Sequence, residues 1–200
     1  MEFVAIKGTA RTLTGKKAAA DLRRAGLIPC NLYGGKENLT FSIPYPSIRT
    51  LVFTPDFKLA ELEIDGKKIK AIVKELQADP VKDAITHIDF QELVDDVKVK
   101  VEVPLKLSGK PVALSVGGKL EQVLRKLKVL ALPKDLPAVI DLDVKDMDFG
   151  HVKRAKDISV EGVTLLHSPN TPVARLTASR AAKEAQAAAA KEAQAAGKKK

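Results

Sequence analysis

The residues of this chain that could do covalent or metal chemistry are few. They are one cysteine, Cys30, and three histidines, His87, His151 and His167. A nucleophilic thiol needs a neighbouring base. Cys30 instead lies in "LIPCNL", between apolar residues, where a thiol is usually a small buried hydrophobe with a raised pKa. The pairs Gly15-Lys16 and Gly118-Lys119 lack both the glycine five positions earlier and the Ser or Thr that follows in a phosphate-binding loop. No Gly-x-Gly-x-x-Gly, Gly-x-Ser-x-Gly or His-Glu-x-x-His occurs. His87-Ile88-Asp89 would put two possible ligands on one face of a strand, with no third at metal-ligand spacing; the plainer reading is that both hydrogen-bond the same surface. The expectation is a protein without catalysis, metal, cofactor or small-molecule substrate.

The charge points elsewhere. The chain carries +9 at neutral pH with a pI near 9.5, which favours a polyanionic partner, nucleic acid before an anionic membrane. Between Lys7 and Arg24 the cations are Lys7, Arg11, Lys16, Lys17, Arg23 and Arg24, against Asp21 alone. A helix over residues 17–25 would leave free backbone N–H groups in its preceding loop for phosphate. Tyr33 can stack on, or hydrogen-bond to, a ribose, and arginines reach phosphates and base edges. The competing reading is a solvated helix face with Tyr33 as packing. A lone cysteine excludes an internal disulfide framework and suits a reducing cytoplasm. "MEFVAIKGTAR" lacks the pattern of a secretion signal, and no apolar run approaches the ~18 residues of a membrane span, so a soluble cytoplasmic protein is expected.

The elements that must position these residues are mainly strands. "FVAIKGTAR" opens with short alternation, Gly15 to Ala25 reads as a short helix ended by Gly26 and Pro29, and Leu32-Tyr33 leads into a Gly-Gly turn. "LTFSI" is a strand, and Ile48, Leu51 and Val52 stand at helical spacing before Pro55. In "LAELEIDGKKIKAIVKEL", Asp65-Gly66 is a primed-turn dipeptide. Its two-residue loop pairs Leu62 with Ile69, Glu63 with Lys68 and Glu61 with Lys70, each pair adding a few tenths to ~1 kcal/mol. "THIDF" is a further strand.

A second unit begins with strict alternation from Val97 to Leu107, after a "VDD" linker at Val94 to Asp96. "LRKLKVLAL", "AVIDLDV", "ISV" and "VTLL" supply more short strands, as in a sandwich or barrel. The expected domains are thus residues 1–94, residues 97–177 and an Ala/Lys-rich tail over 178–200, in which "AKEAQAA" occurs at Ala182 to Ala188 and at Ala190 to Ala196. The tail reads as coil or solvated helix, because it has only alanine to bury.

Three stretches, "RTLTGK", "LRRAGLIPCNLYGG" and "KELQADPVKDAITHIDF", occur in the order found in the bacterial ribosomal protein L-twenty-five family, which binds 5S ribosomal RNA; the chain resembles this family to about residue 177. The Val97 to Thr177 unit is similar to the long, two-domain form, also called general stress protein CTC. This resemblance implies a mainly β protein: an N-terminal six-stranded barrel with short helices, docking on 5S RNA, and a C-terminal all-β domain reaching neighbouring ribosomal RNA and proteins. By position it implies RNA backbone contacts from Arg11 and Lys16, with Arg23 on the helix nearby; Arg24 joins them as a further expected RNA-binding residue. Tyr33, His87 and Asp89 would line a minor-groove face, with Gln77 in a matching segment. A carboxylate such as Asp89 can accept from guanine N2 or a ribose 2′-OH, a selectivity that cations do not offer.

One position departs from the pattern: Ala20-Asp21 stands where the family often carries two arginines, and either Arg24 compensates from the next turn or the phosphate contacts weaken. The function expected is a structural, non-catalytic constituent of the large ribosomal subunit. The alternative is a stress-related module that binds a protein partner partly off the ribosome.

Overall fold

The computed structural model describes residues 2–35, 37–115 and 117–178. The expected tail, apart from Ala178, lies outside these residues. The first six strands are β1 (Phe3–Ala10), β2 (Leu27–Tyr33), β3 (Leu39–Pro44), β4 (Leu59–Ile64), β5 (Lys67–Ala78) and β6 (Ile85–Glu92). They close into a barrel in the order β1-β3-β2-β6-β5-β4. Two helices interrupt them, α1 (Lys16–Arg24) and α2 (Tyr45–Val52). Closure satisfies the edges that short strands would otherwise leave open.

Alternation dictates what the barrel encloses. Ile6, Ile28, Cys30, Leu32, Phe41, Ile43, Leu62, Ile88 and Phe90 are buried in one core, joined by Ile48 and Leu51 of α2. With so few aromatics, Phe41 and Phe90 anchor it as a tilted pair, ring centroids 5.8 Å apart. Gly8 makes room for that pair, since a Cβ there would stand 2.8 Å from the Phe41 ring.

The β4–β5 hairpin has the expected register, with Leu62 opposite Ile69, Glu63 opposite Lys68 and Glu61 opposite Lys70. Its turn residues Asp65 and Gly66 both have positive φ, 49° and 81°, as a primed turn requires. The side chains partner differently from the register. Lys68 reaches Glu61 at 3.9 Å, Glu63 meets Lys7 of β1 at 3.8 Å, and Lys70 lies over the Phe3 ring.

Beyond the barrel the elements are β7 (Val99–Ser108), α3 (Val112–Ser115), β8 (Gly118–Gln122), β9 (Lys126–Ala131), β10 (Ile140–Asp143), β11 (Val152–Arg154), β12 (Val163–Leu165) and β13 (Pro172–Ala178). They form a four-stranded sheet in the order β10-β7-β9-β12 and a three-stranded sheet in the order β11-β13-β8. The chain divides into two compact units, the first holding the whole barrel and the second the three-stranded sheet. The "ISV" segment corrects the sequence reading: Ile158 to Val160 follow a 3-10 turn, Ala155–Asp157, and are not a strand. Ile158 is buried, so its apolar character reflects packing without a ladder. No helix among the described residues is long and apolar enough to cross a membrane.

Candidate nucleic-acid interface

The barrel brings four of the eight expected residues onto three adjacent strands. Parallel pairing of β2 with β6 sets Asn31 opposite Asp89 and Tyr33 opposite Gln91. Antiparallel pairing of β6 with β5 sets Gln77 opposite His87 and Glu75 opposite Asp89. Bulges between Val73 and Glu75 and between Gln77 and Ala78 shift the β5 register beside these residues; such bulges re-aim side chains near functional surfaces. Ile88 and Phe90 point into the core, so His87 and Asp89 share the outer face. Their side chains are 18% and 23% exposed, with His87 Nδ1 3.5 Å from Asp89 Oδ1. That separation is long for a hydrogen bond and leaves both groups able to meet a ligand.

Tyr33 belongs electrostatically to the same group. Partial burial, then the carboxylates of Asp89 and Glu75, raise its phenol above the ordinary value, so it remains a neutral donor. Cys30, one residue from Asn31, is different. Burial pushes its thiol up to about 12, Arg11 pulling against this and Asp89 adding to it. A thiol held neutral and 0% exposed in the core is packing, as "LIPCNL" suggested.

The cations approach from α1 and from the end of β1. Arg11 follows β1 and is fastened to β3 twice: its N–H donates to Thr40 O at 2.9 Å, and Thr40 Oγ1 donates to Arg11 O at 2.9 Å. Helix α1 packs on β2. It begins after Gly15 at φ 108°, has no side-chain cap and no acid in its first turn, and buries none of its residues. Lys16 is its first residue, so that cation stands where the helix dipole also favours an anion. Arg23 Nε donates to Thr86 O at 2.9 Å, tying the helix to β6 one residue before His87. Arg24 Nη1 meets Asp21 Oδ1 at 3.2 Å on the exposed helix surface. A cleft of about 630 Å³ adjoins Arg23, Arg24 and Lys82 over a floor that includes Leu27, Ile28 and Ile85.

Sequence reading passed over Asn31, Thr40 and Glu75, which complete the row across β3, β2, β6 and β5. The signal for Asn31 was available: in "PCNLY" the buried Cys30 and Leu32 alternate with Asn31 and Tyr33, so the latter two share a face. Among the described residues no group of three His, Cys, Asp or Glu side chains is placed to hold a metal ion.

Comparison with known proteins agrees with the resemblance seen in the sequence. Residues 6–90 match the ribosomal L25p family, and residues 98–180 match the C-terminal domain of ribosomal protein TL5. A large ribosomal subunit protein bL25 of Bacteroides fragilis is 38% identical over 193 residues, covering 94% of this chain and 98% of its own. The corresponding protein of Porphyromonas gingivalis is 40% identical over 187 residues, covering 92% of this chain and 97% of its own. That of Cytophaga hutchinsonii is 36% identical over 188 residues, covering 94% and 98%. Similarity of this extent, over both the barrel and the segment after it, places the chain in the ribosomal L25p family, in its long form with a TL5-type C-terminal domain.

Proposed function

We propose that this protein is a non-catalytic structural component of the bacterial large ribosomal subunit and binds 5S ribosomal RNA through its barrel. The observation that carries the reading is the outer face of β2, β6 and β5. There Tyr33, Gln77, His87 and Asp89 stand together, with Lys16 and Arg23 on a helix tied to β6 and Arg11 at the end of β1, bonded to Thr40 of the β3 strand that adjoins β2. Cations supply affinity for the backbone and carry no sequence information. The donors and acceptors of the β-sheet face read the minor-groove edges and 2′-hydroxyls that distinguish one RNA from another. The relatives' names, large ribosomal subunit protein, fit this assignment. In it the barrel domain, residues 1–94, holds 5S RNA. Residues 97–177 and the basic tail reach neighbouring ribosomal RNA and proteins in the cytoplasmic ribosome.

Filter binding of the full-length protein to transcribed 5S RNA, beside a fully paired RNA hairpin, tests the proposal. If Arg11, Lys16 and Arg24 each neutralise a phosphate at a slope of roughly 0.9, a fourfold rise in salt weakens binding roughly 40-fold. Tighter binding to 5S RNA than to the hairpin is expected at every salt concentration. Equal affinity for both RNAs refutes the assignment.

A further inference from the structure

On the outer face of the barrel two polar atoms of opposite hydrogen-bonding sense are shielded from water. They are the Arg11 Nε donor and the Asn31 Oδ1 acceptor, and neither has a hydrogen-bond partner among the described residues. Shielded polar atoms are almost always paired, so a donor and an acceptor left open in one patch mark an arrangement that the free protein leaves incomplete. The two residues meet through Thr40. Arg11 is bonded to Thr40 by the two contacts given above, and Thr40 is the register partner of Asn31 on β3. On its other side Asn31 faces Asp89 on β6. Cys30 and Leu32 are 0% and 1% exposed in the core, so the Asn31 side chain leaves the barrel on the side of Asp89 and Tyr33.

We propose that Asn31 is a specificity-determining residue of the RNA face. In the bound state Arg11 Nε donates to Asn31 Oδ1, and this turns the Asn31 Nδ2 donors towards the RNA beside the Asp89 carboxylate. The inference rests on the RNA-binding reading above and adds a chemical class to it. A carboxylate alone presents acceptors only, whereas an amide on the adjacent strand, ~4.8 Å away, adds donors. Together they match the minor-groove edge of guanine: its N2 amino group donates to Asp89, and its N3 accepts from Asn31. Adenine, lacking the amino group, satisfies only the second contact. Within the barrel the Asn31 acceptor has no structural task, because no described group bonds to it.

The test uses the full chain with Asn31→Leu, which keeps the approximate shape without polar atoms, and Asn31→Asp, which keeps the acceptors and loses the donors. Binding to transcribed 5S RNA and to a fully paired RNA hairpin is measured over a salt series, beside thermal melts. Both variants are expected to lose about tenfold in affinity for 5S RNA, the lower range for loss of one base contact. Hairpin affinity should stay within about twofold for Asn31→Leu, with an unchanged salt slope because no phosphate contact is removed. Asn31→Leu should melt at or above the wild-type temperature, since an unpaired polar group is gone. Unchanged 5S affinity in Asn31→Leu, equal losses on both RNAs, or a lowered melting temperature overturns the proposal. A wild-type protein that fails to prefer 5S RNA overturns the RNA-binding reading and this inference with it. A wild type that does prefer it, beside an indistinguishable Asn31→Leu, removes the role of Asn31 alone.

Discussion

Replacing Asp89 with alanine separates recognition from charge attraction, because the two respond with opposite signs. Asp89 is 23% exposed, lies 3.5 Å from His87, and contributes to the raised pKa of Tyr33. In the proposed complex it would accept from guanine N2 or a 2′-hydroxyl, one specific contact worth about 1–3 kcal/mol of discrimination, or roughly 5- to 150-fold in affinity for 5S RNA. The charge works the other way. At ~10 Å from a phosphate, one anion repels by about 0.4 kcal/mol in water, and screening over a Debye length of ~8 Å leaves about 0.1 kcal/mol. Asp89→Ala should therefore raise affinity for a paired hairpin by less than about twofold while that for 5S RNA collapses.

Filter binding to the two RNAs at one salt concentration reads both effects. A second readout needs no RNA: without the Asp89 carboxylate the phenolate of Tyr33 is easier to form. Its alkaline titration should then move part of the way back towards an ordinary tyrosine, the share due to burial remaining. Parallel losses on 5S RNA and hairpin would mean that Asp89 supports the surface without reading it, and the reasoning would be refuted.

Two further outcomes test the scaffold. At pH 8 a thiol with a pKa of about 12 is roughly one part in ten thousand thiolate, so native Cys30 should resist thiol-specific labelling and react only once denaturant opens the barrel; rapid labelling of the native protein would contradict its place in the core. Gly66→Val forces a β-branched residue to φ 81° and should lower stability by at least about 1–2 kcal/mol, read as a lower urea midpoint with RNA affinity unchanged.

The barrel half of the fold was legible where local and cross-strand signals agreed. The Asp65-Gly66 turn and the alternation around it fixed the β4–β5 register, and Ile48 and Leu51 at helical spacing gave the buried face of α2. The strand Leu27–Tyr33 was harder to see, because Pro29 and a continuous buried stretch from Ile28 to Cys30 mask its period. Its parallel pairing with β6 is a non-local contact that no turn residue announces. That pairing is what sets Asn31 opposite Asp89, so local alternation could place Asn31 on the face of Tyr33 but not beside the carboxylate. In the second half, short strands such as Val152–Arg154 have too few residues to show alternation, and the apolar "ISV" mimicked one.

The Ala20-Asp21 departure takes on a definite size once α1 is placed. Asp21 engages Arg24 at 3.2 Å, with both side chains more than half exposed. An exposed pair three residues apart on a helix contributes only about 0.3–0.5 kcal/mol, and salt screens it further. Arg24 meets Asp21 through the single Nη1–Oδ1 contact, whereas a phosphate held by both guanidinium edges would give two charge-assisted bonds. Arg24 can therefore exchange Asp21 for the RNA backbone at small cost. Arg23 cannot be released so freely, because its Nε holds the helix to Thr86 O beside the reading face. In the proposed complex the two arginines thus divide the work: Arg23 keeps α1 in register with His87 and Asp89, and Arg24 is the cation that changes partner on docking. In that proposed complex the Ala20-Asp21 departure bears on phosphate contacts made from α1, and not on the proposed reading face of β2, β6 and β5.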